Sequence, residues 1–249
     1  MRKALRAALA LLAFAATGAL SQDYDREKRW SEEIMPALVV GDAVWIEGAT
    51  GRKFLGIYAL VKHERGAVVL VHGVGVHPDH GMIGILRTKL TDLGYTTLSI
   101  QMPVLAADQR GEDYYPALFP EALDRIGKAA AWMRSRGHQK LSLVSHSMGS
   151  WMANEYFDAT PQSPYLAWAC LGLTGGYTWP TYFSRRPILD VYGENDLPVS
   201  TQAAWRRRAT LATTVEKSRQ VMIAGADHFY ARKEDEVARL IADWLSEAP

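Results

Sequence analysis

Short apolar runs alternate with longer segments in which apolar residues recur at helical spacing. The short runs predict buried strands at residues 67–71, 96–100, 141–144, 166–173, 188–192 and 220–224. The longer segments predict helices at residues 82–93, 120–136, 148–158, 201–211 and 231–246. Because strands and helices alternate, we expect one α/β domain with a mostly parallel sheet covered by helices on both faces.

The two ends of the chain and the connection after the strand at 166–173 complete this outline. Residues 1–21 are predicted to be a signal peptide, residues 22–37 an N-terminal arm or short helix, and residues 38–249 the α/β domain. Strands at 38–46 and 54–61 are predicted to form an antiparallel hairpin at one edge of the sheet. The connection at 174–187 is too short for a sizeable cap domain.

One serine occupies a position that is typical of a nucleophile. The strand at 141–144 runs into Ser145, Ser147 and Gly149, and a helical segment follows directly. A sharp turn from strand to helix exposes the hydroxyl of its central serine and tolerates only small neighbours. The alternative is that Ser147 simply caps the helix.

An acid and a base follow this serine in the chain. Asp196 comes after the strand at 188–192, and His228 comes after the strand at 220–224. An imidazole that takes the serine proton needs a carboxylate to hold its useful tautomer, so His228 is the candidate base and Asp196 its partner. Asp190 is a rival acid, but it lies inside its strand. The side chain of His146 is expected to be structural.

These motifs resemble those of the α/β-hydrolases over about residues 39–244, most closely an uncharacterised exported bacterial group of α/β-hydrolase-like proteins. The resemblance implies the α/β-hydrolase fold, a Ser147, Asp196 and His228 triad, and no cofactor. It also places an oxyanion loop at residues 72–75, where the backbone N–H groups of Val74 and Met148 would stabilise negative charge on a substrate oxygen. The chain departs from the family at Ser145, where glycine is usual.

Two loops carry further candidate residues. Tyr177, Trp179 and Tyr182 are predicted to line the mouth of a substrate pocket, although an aromatic-rich loop equally packs against a sheet. The loop after the strand at 67–71 contains His77, Asp79 and His80, which are residue types that commonly bind metal ions. No further candidate ligands with recognisable spacing accompany them. We therefore expect no metal site, and His72 is expected to brace its loop.

Composition and charge narrow the class of protein. The 249 residues are 48% hydrophobic, which suits one substantial α/β domain. Charges of both signs are mixed along the chain, and this argues against nucleic acid as a partner. The single cysteine, Cys170, allows no intrachain disulfide.

The first residues predict export. Arg2, Lys3 and Arg6 precede an apolar run at 7–20 that is shorter than the roughly 20 residues of a membrane span. Cleavage before Gln22 changes the formal net charge from +1 to −2 by removing three positive charges and no negative ones. We expect a periplasmic or secreted protein without stable membrane insertion. The alternative is a signal retained as an anchor.

The favoured function is an exported carboxylic-ester hydrolase that forms an acyl-enzyme on Ser147 and takes a small-molecule ester as substrate. Thioester, amide or peracid chemistry can use the same three side chains, so the reaction class stays open at this point. The alternative function is a non-catalytic envelope binding protein on the same scaffold. The sequence does not determine the substrate or the oligomeric state.

Overall fold

The computed structural model describes residues 22–109, 112–178 and 186–248. The predicted signal peptide at 1–21 lies outside these ranges, as do Trp179 and Tyr182. Within them no helix is long and apolar enough to cross a membrane. The strands are β1 Asp42–Glu47, β2 Lys53–Ala59, β3 Gly66–Val71, β4 Tyr95–Ile100, β5 Leu141–His146, β6 Ala167–Leu171, β7 Ile188–Asn195 and β8 Arg219–Asp227. The α-helices are α1 Tyr24–Ile34, α2 Gly81–Asp92, α3 Phe119–Ser135, α4 Met148–Ala159, α5 Pro198–Leu211 and α6 Glu234–Glu247, and short 3₁₀ helices span Met35–Ala37 and Glu112–Leu118.

The strands of the described residues form one eight-stranded sheet in the order β1-β2-β4-β3-β5-β6-β7-β8. Strand β2 is antiparallel to both of its neighbours, β1 and β4. All other pairs are parallel. The predicted parallel sheet with an antiparallel N-terminal hairpin is therefore confirmed.

The sheet is covered on both faces because its central strands are apolar on both sides. Every residue of β3 and β5 is buried. One core cluster joins the sheet to α3 and α4 through residues such as Ile126 and Met152, and the other joins it to α2 and α6 through residues such as Leu86 and Ile241. Strands buried on both faces read as continuous apolar runs, which is why the sequence located them well.

Two predicted boundaries shift for local reasons. The strand expected at 38–46 begins only at Asp42, because Gly41 has a positive φ of 82° that breaks the extended chain. The strand expected at 188–192 continues to Asn195, and its pairing with β8 changes register between Gly193 and Asn195. Such an irregularity at the end of a strand re-aims the side chains that follow it.

The predicted N-terminal arm contains α1, which is capped by the Asp23 side chain accepting a 2.8 Å hydrogen bond from the Arg26 amide. Ile34 at its end packs against Leu55 and Ile57 of β2. Gln22, just before the helix, forms an isolated antiparallel bridge with Leu105. The arm is therefore tied to the domain at both ends.

Candidate functional site

Ser147 stands between β5 and α4 in a strained backbone conformation. Its φ is 55° and its ψ is −124°, a region that non-glycine residues adopt at a cost of roughly 1–3 kcal/mol. A Cβ atom at Gly149 would lie 2.3 Å from the carbonyl oxygen of His72 and 2.7 Å from that of Val71. Only glycine fits there, because strand β3 and the start of α4 nearly touch. The sequence predicted this sharp turn.

The departure at Ser145 has a local explanation. Its buried hydroxyl accepts a 2.8 Å hydrogen bond from the indole N–H of Trp168 and lies 3.0 Å from the hydroxyl of Ser150. Ser150 in turn donates to the carbonyl of Leu171. A glycine at 145 would leave the buried indole N–H without this acceptor, so the serine here satisfies a polar group that the β6 tryptophan introduces.

The structure brings Ser147, His228 and Asp196 into one hydrogen-bonded chain. The Oγ atom of Ser147 lies 2.8 Å from Nε2 of His228, and Nδ1 of His228 lies 2.6 Å from Oδ1 of Asp196. All three residues are buried to at least nine tenths. With Asp196 ionised, Nδ1–H donates to the carboxylate, so Nε2 is left to accept the serine proton.

Backbone amides hold the Asp196 carboxylate in place. The N–H of Leu197 donates to Oδ1 at 2.7 Å, and the N–H of Gly193 donates to Oδ2 at 3.2 Å. Burial alone would raise the pKa of Asp196, but the hydrogen bond and charge of His228 and these two amides lower it below its usual value. Asp196 is therefore a carboxylate at neutral pH.

Two glycines that the sequence reasoning missed make room for this pair. A Cβ at Gly193 would lie 2.4 Å from the carbonyl oxygen of Ala226, so glycine lets the ends of β7 and β8 approach. A Cβ at Gly172 would lie 2.9 Å from Cε1 of His228. Gly193 begins the Gly-x-x-Asp pattern that locates Asp196, and Gly172 directly follows β6; the sequence reasoning assigned this spacing role to neither of them.

The rival acid has a different task. Asp190 and Arg207 are fully buried, and the carboxylate accepts from Nε of Arg207 at 2.8 Å and from Gln220 at 2.7 Å. Its side chain is thus consumed by an ion pair between β7 and α5. Asp190 makes no hydrogen bond with His228 in the described part of the chain.

The side chain of His146, the residue before Ser147, is hydrogen-bonded to the backbone. Its Nε2–H donates to the backbone carbonyl of His228 at 2.8 Å, and the two imidazole rings are 5.0 Å apart. Burial, and then the neighbouring His228, lower the pKa of His146 to about 4. A neutral His146 therefore ties the loop after β8 to the end of β5.

The loop after β3 is held by His72. The Nε2 atom of His72 accepts a 2.8 Å hydrogen bond from the amide of Met102, so Nδ1 carries the proton and donates to the carbonyl of Gly73 at 2.9 Å. Burial lowers the pKa of His72 to about 3, which keeps the ring neutral. A trans peptide directs its C=O and N–H in opposite directions. The Val74 N–H, which shares the peptide unit of the Gly73 carbonyl, therefore points away from His72.

The two predicted oxyanion donors lie beside Ser147. A Cβ at Gly73 would be 3.2 Å from that of Ser147, so the backbone at Gly73, directly before Val74, lies beside the serine. Met148 is the first residue of α4, and the first N–H groups of a helix lack partners within the helix. Its amide also lies at the positive end of the helix dipole. The assignment of these two N–H groups as oxyanion donors stays a prediction.

A cavity of about 390 Å³ opens beside Ser147 and His228. Glu234, at the start of α6, is its acidic lining residue. The rim is exposed, with 65% of Phe229 accessible to solvent. Most of the wall is apolar and comes from the loop after β3, from α2 and from the loops after β7 and β8, through Val74, Val76, Met82, Ile83, Leu197 and Phe229.

Of the three predicted pocket aromatics, only Tyr177 lies among the described residues. Tyr177 does not line the cavity: its ring packs 5.9 Å from that of Trp168, and its hydroxyl lies 3.6 Å from the sulfur of Cys170. It therefore packs against the sheet, which was the alternative for this loop. Trp179 and Tyr182 lie outside the described residues. The described wall comes instead from α2 and from the loops after β3, β7 and β8. Of these segments, the sequence placed only the loop after β3 at the rim of the site.

The histidine-rich loop is used for packing. Asp79 forms an ion pair with Arg87, and the rings of His77 and His80 stand 5.3 Å apart, edge to face. Among the described residues no group of three or more His, Cys, Asp or Glu side chains is arranged to hold a metal ion. His80 also lines the cavity.

Comparison with known proteins gives a partial family match. A family model described as a protein of unknown function, DUF3530, matches residues 14–117, which is less than half of the chain. No curated protein matches the sequence significantly. The matched segment contains the N-terminal arm, the hairpin and the loop after β3, but it ends before Ser147.

Solved structures show a clearer likeness. A dienelactone hydrolase from Anabaena variabilis is 20% identical with a TM-score of 0.64, and the match covers 83% of this chain and 96% of that one. Est1E from Butyrivibrio proteoclasticus is 15% identical with a TM-score of 0.64, covering 82% and 98%. A serine hydrolase without a lid from Xanthomonas campestris is 17% identical with a TM-score of 0.62, covering 84% and 95%. The chain therefore has the α/β-hydrolase fold, as its motifs predicted.

Proposed function

We propose that this protein is a serine hydrolase that cleaves small carboxylic esters through an acyl-enzyme on Ser147. The observation that carries the proposal is the buried hydrogen-bonded chain from Ser147 through His228 to Asp196. A binding scaffold has no physical need for these three groups at these distances, nor for a strained serine at the end of a strand. The structural neighbours, which include hydrolases and esterases, support the same class of activity.

In the first half-reaction, Ser147 Oγ attacks the ester carbonyl carbon while its proton passes to Nε2 of His228. The carbonyl oxygen becomes an anion, and the N–H groups of Val74 and Met148 donate to it. The tetrahedral intermediate collapses, the bond to the leaving oxygen breaks, and His228 returns the proton to the departing alcohol. Asp196 stabilises the imidazolium that exists between these two transfers.

In the second half-reaction, water takes the place of the alcohol. His228 removes a proton from the water as its oxygen attacks the acyl carbon, and the same two N–H groups stabilise the second oxyanion. Collapse releases the carboxylic acid and returns the proton to Ser147 Oγ. Every proton moves between Ser147, His228, the alcohol and water, so this sequence balances without a cofactor.

The cavity supports an ester with an uncharged, apolar portion. Its volume of about 390 Å³ lies near the lower end of the roughly 300–1,000 Å³ typical of small-molecule sites. Apolar walls stabilise a substrate by roughly 25 cal/mol per Å² of apolar surface removed from water. The carboxylate of Glu234 on the same wall disfavours a second, anionic group in the substrate. Est1E, one of the structural neighbours, has been seen with bound ferulic acid, which also supports a small-molecule substrate.

We test the proposal with p-nitrophenyl esters from acetate to palmitate, using the protein without residues 1–21. The expected result is turnover that is greatest for short or medium acyl chains and that disappears in Ser147→Ala. Ser135→Ala is the matched control, because Ser135 is an exposed serine at the end of α3. Equal rates in wild type and Ser147→Ala would contradict the proposal, as would the absence of turnover with every ester.

We also propose that the protein acts in the periplasm or outside the cell. The support is the basic residues Arg2, Lys3 and Arg6 followed by the apolar run at 7–20. The test is fractionation of cells that express the full chain or a chain lacking residues 2–21. Export predicts a processed full chain in the periplasm or medium and the truncated chain in the cytoplasm. Equal distribution of the two forms would contradict it.

A further inference from the structure

Arg26 of α1 reaches across to the loop after β3. Its guanidinium donates to the carbonyl of Gly75 at 3.0 Å and to the carbonyl of Leu105 at 2.9 Å. The ring of Trp30 lies 4.5 Å from the guanidinium carbon and helps to fix its orientation. Gly75 directly follows Val74 and has a φ of 64°. Arg26 thus holds the backbone of the oxyanion loop on the C-terminal side of Val74.

A second set of contacts from the arm supports the same loop on the N-terminal side of Val74. Glu27 and Arg125 form a buried ion pair at 3.0 Å, and the same Nη1 of Arg125 donates to the carbonyl of Gln101 at 2.9 Å. The next amide, that of Met102, is the one that fixes the tautomer of His72. Gln101 also contacts Nε2 of His72 through its side chain, at 3.1 Å. The Glu27 side chain therefore supports the residues that orient the Gly73 carbonyl.

We infer that the N-terminal arm, residues 22–34, positions the oxyanion loop and that Arg26 is the positioning residue that the arm contributes to it. The inference rests on the proposed hydrolase function. Glycines at 73 and 75 give this loop access to many backbone conformations, so an oriented Val74 N–H requires clamps on both sides. His72 clamps the Gly73 carbonyl, and Arg26 clamps the Gly75 carbonyl. Arg26 touches no reacting atom and acts through the loop.

The consequence is specific to the transition state. Negative charge develops on the substrate oxygen only after the serine attacks, so a misaligned donor weakens the transition state more than the bound ester. Complete loss of one oxyanion donor lowers kcat by roughly 10²–10³. Loss of a clamp leaves the donor in place but less well aligned. We therefore expect Arg26→Ala to lower kcat by about tenfold to a hundredfold with little change in KM.

The test compares Arg26→Ala, Arg26→Lys and Arg29→Ala. Arg29 is an exposed arginine on the same helix and serves as the matched control. The fraction of protein with a reactive Ser147 is first determined on a separate sample by exhaustive reaction with a fluorophosphonate probe. Rates are divided by this fraction, so that partly unfolded protein does not lower them. We then measure kcat and KM for p-nitrophenyl butyrate, and the inhibition constant of phenylboronic acid, whose tetrahedral serine adduct places an oxygen near the two amides.

The expected result for Arg26→Ala is a fall in kcat per competent serine with a parallel weakening of boronic acid inhibition. Arg26→Lys should lie between it and wild type, because an ammonium can donate to only part of the carbonyl pair that the planar guanidinium bridges. Arg29→Ala should match wild type. If Arg26→Ala does not fold, Arg26→Lys and Arg26→Gln decide the question by the same two measurements.

Wild-type kcat and boronic acid affinity in a folded Arg26→Ala would overturn the inference and leave the proposed function intact. The same holds if KM rises while kcat stays constant, because that result indicates a role in ground-state binding. An inactive wild type that also fails to react with the probe would overturn the proposed function and this inference together.

Discussion

Replacing Asp190 by Asn should destabilise the protein without changing its chemistry. Asp190 and Arg207 are both fully buried and are joined at 2.8 Å. Removing one partner of a buried ion pair leaves an uncompensated charge and costs roughly 3–5 kcal/mol. For a chain of this size each kcal/mol lowers Tm by roughly 2–4 °C, so the expected decrease is roughly 6–20 °C. The rate per folded active site should match that of wild type.

Replacing Asp196 by Asn should lower the rate per active site and leave Tm nearly unchanged. An amide can donate to Nδ1 of His228, which favours the tautomer with the proton on Nε2, and that atom can then no longer accept from Ser147. By comparison with serine hydrolases of the same design, we expect a decrease in kcat of about 10⁴. In that orientation the Asn oxygen takes the Oδ2 position, where it can still accept from the amide of Gly193. No buried cation loses its carboxylate, so Tm should change less than in Asp190→Asn.

The assay measures both quantities on both variants. Thermal unfolding followed by circular dichroism gives Tm, and p-nitrophenyl ester turnover, divided by the serine labelled with fluorophosphonate, gives the rate per active site. We expect Asp190→Asn to change Tm and Asp196→Asn to change turnover. Loss of turnover in Asp190→Asn at unchanged Tm, together with full turnover in Asp196→Asn, would show that Asp190 rather than Asp196 is the acid.

Three further predictions follow from single contacts. Ser145→Ala should cost roughly 1–3 kcal/mol in urea unfolding, because the Trp168 indole N–H loses its acceptor, and unchanged stability would contradict this. His146, with a folded pKa of about 4 against 6.5 unfolded, stabilises the fold fully above pH 6.5 and loses this contribution as the pH falls towards 4. His146→Gln should therefore reduce the dependence of unfolding free energy on pH by up to about 1.4 kcal/mol per unit in this window, and an unaltered slope would refute it. Met82→Trp should lower kcat/KM for octanoyl esters more than for acetyl esters, because Met82 lines the cavity and the larger ring takes up space that a long acyl chain needs. An equal loss for both esters would contradict binding of the acyl chain beside Met82.

The fold could be predicted because its signals are local. Strands β3 and β5 are continuous apolar runs, and the glycine and serine pattern around Ser147 marks one sharp turn. The residues Ser147, Asp196 and His228 were selected because each follows a strand. In a parallel sheet the carboxyl ends of such strands lie at one edge, so order along the chain was enough to bring them together.

The surroundings of the site could not be read in this way. Arg26 and Gly75 are adjacent in space but far apart in sequence, and no periodicity connects them. The residues that form the cavity wall depend on which loops and helices surround the carboxyl ends of the strands without covering Ser147. Aromatic residues at 177–183 suggested one side, whereas Tyr177 packs against the sheet and Met82 of α2 lines the cavity. Side-chain packing of this kind follows from the assembled fold rather than from local composition.

Covalent labelling with a fluorophosphonate probe would show whether Ser147 is an activated nucleophile. The protein lacking residues 1–21 is labelled, and intact mass measurement and peptide mapping follow. We expect a single adduct on Ser147, its absence in Ser147→Ala, and full labelling of the control Ser135→Ala. A folded wild-type protein that takes up no probe, or that carries the adduct on another residue, would contradict the assignment of Ser147 as an activated nucleophile and would favour a binding role for this scaffold.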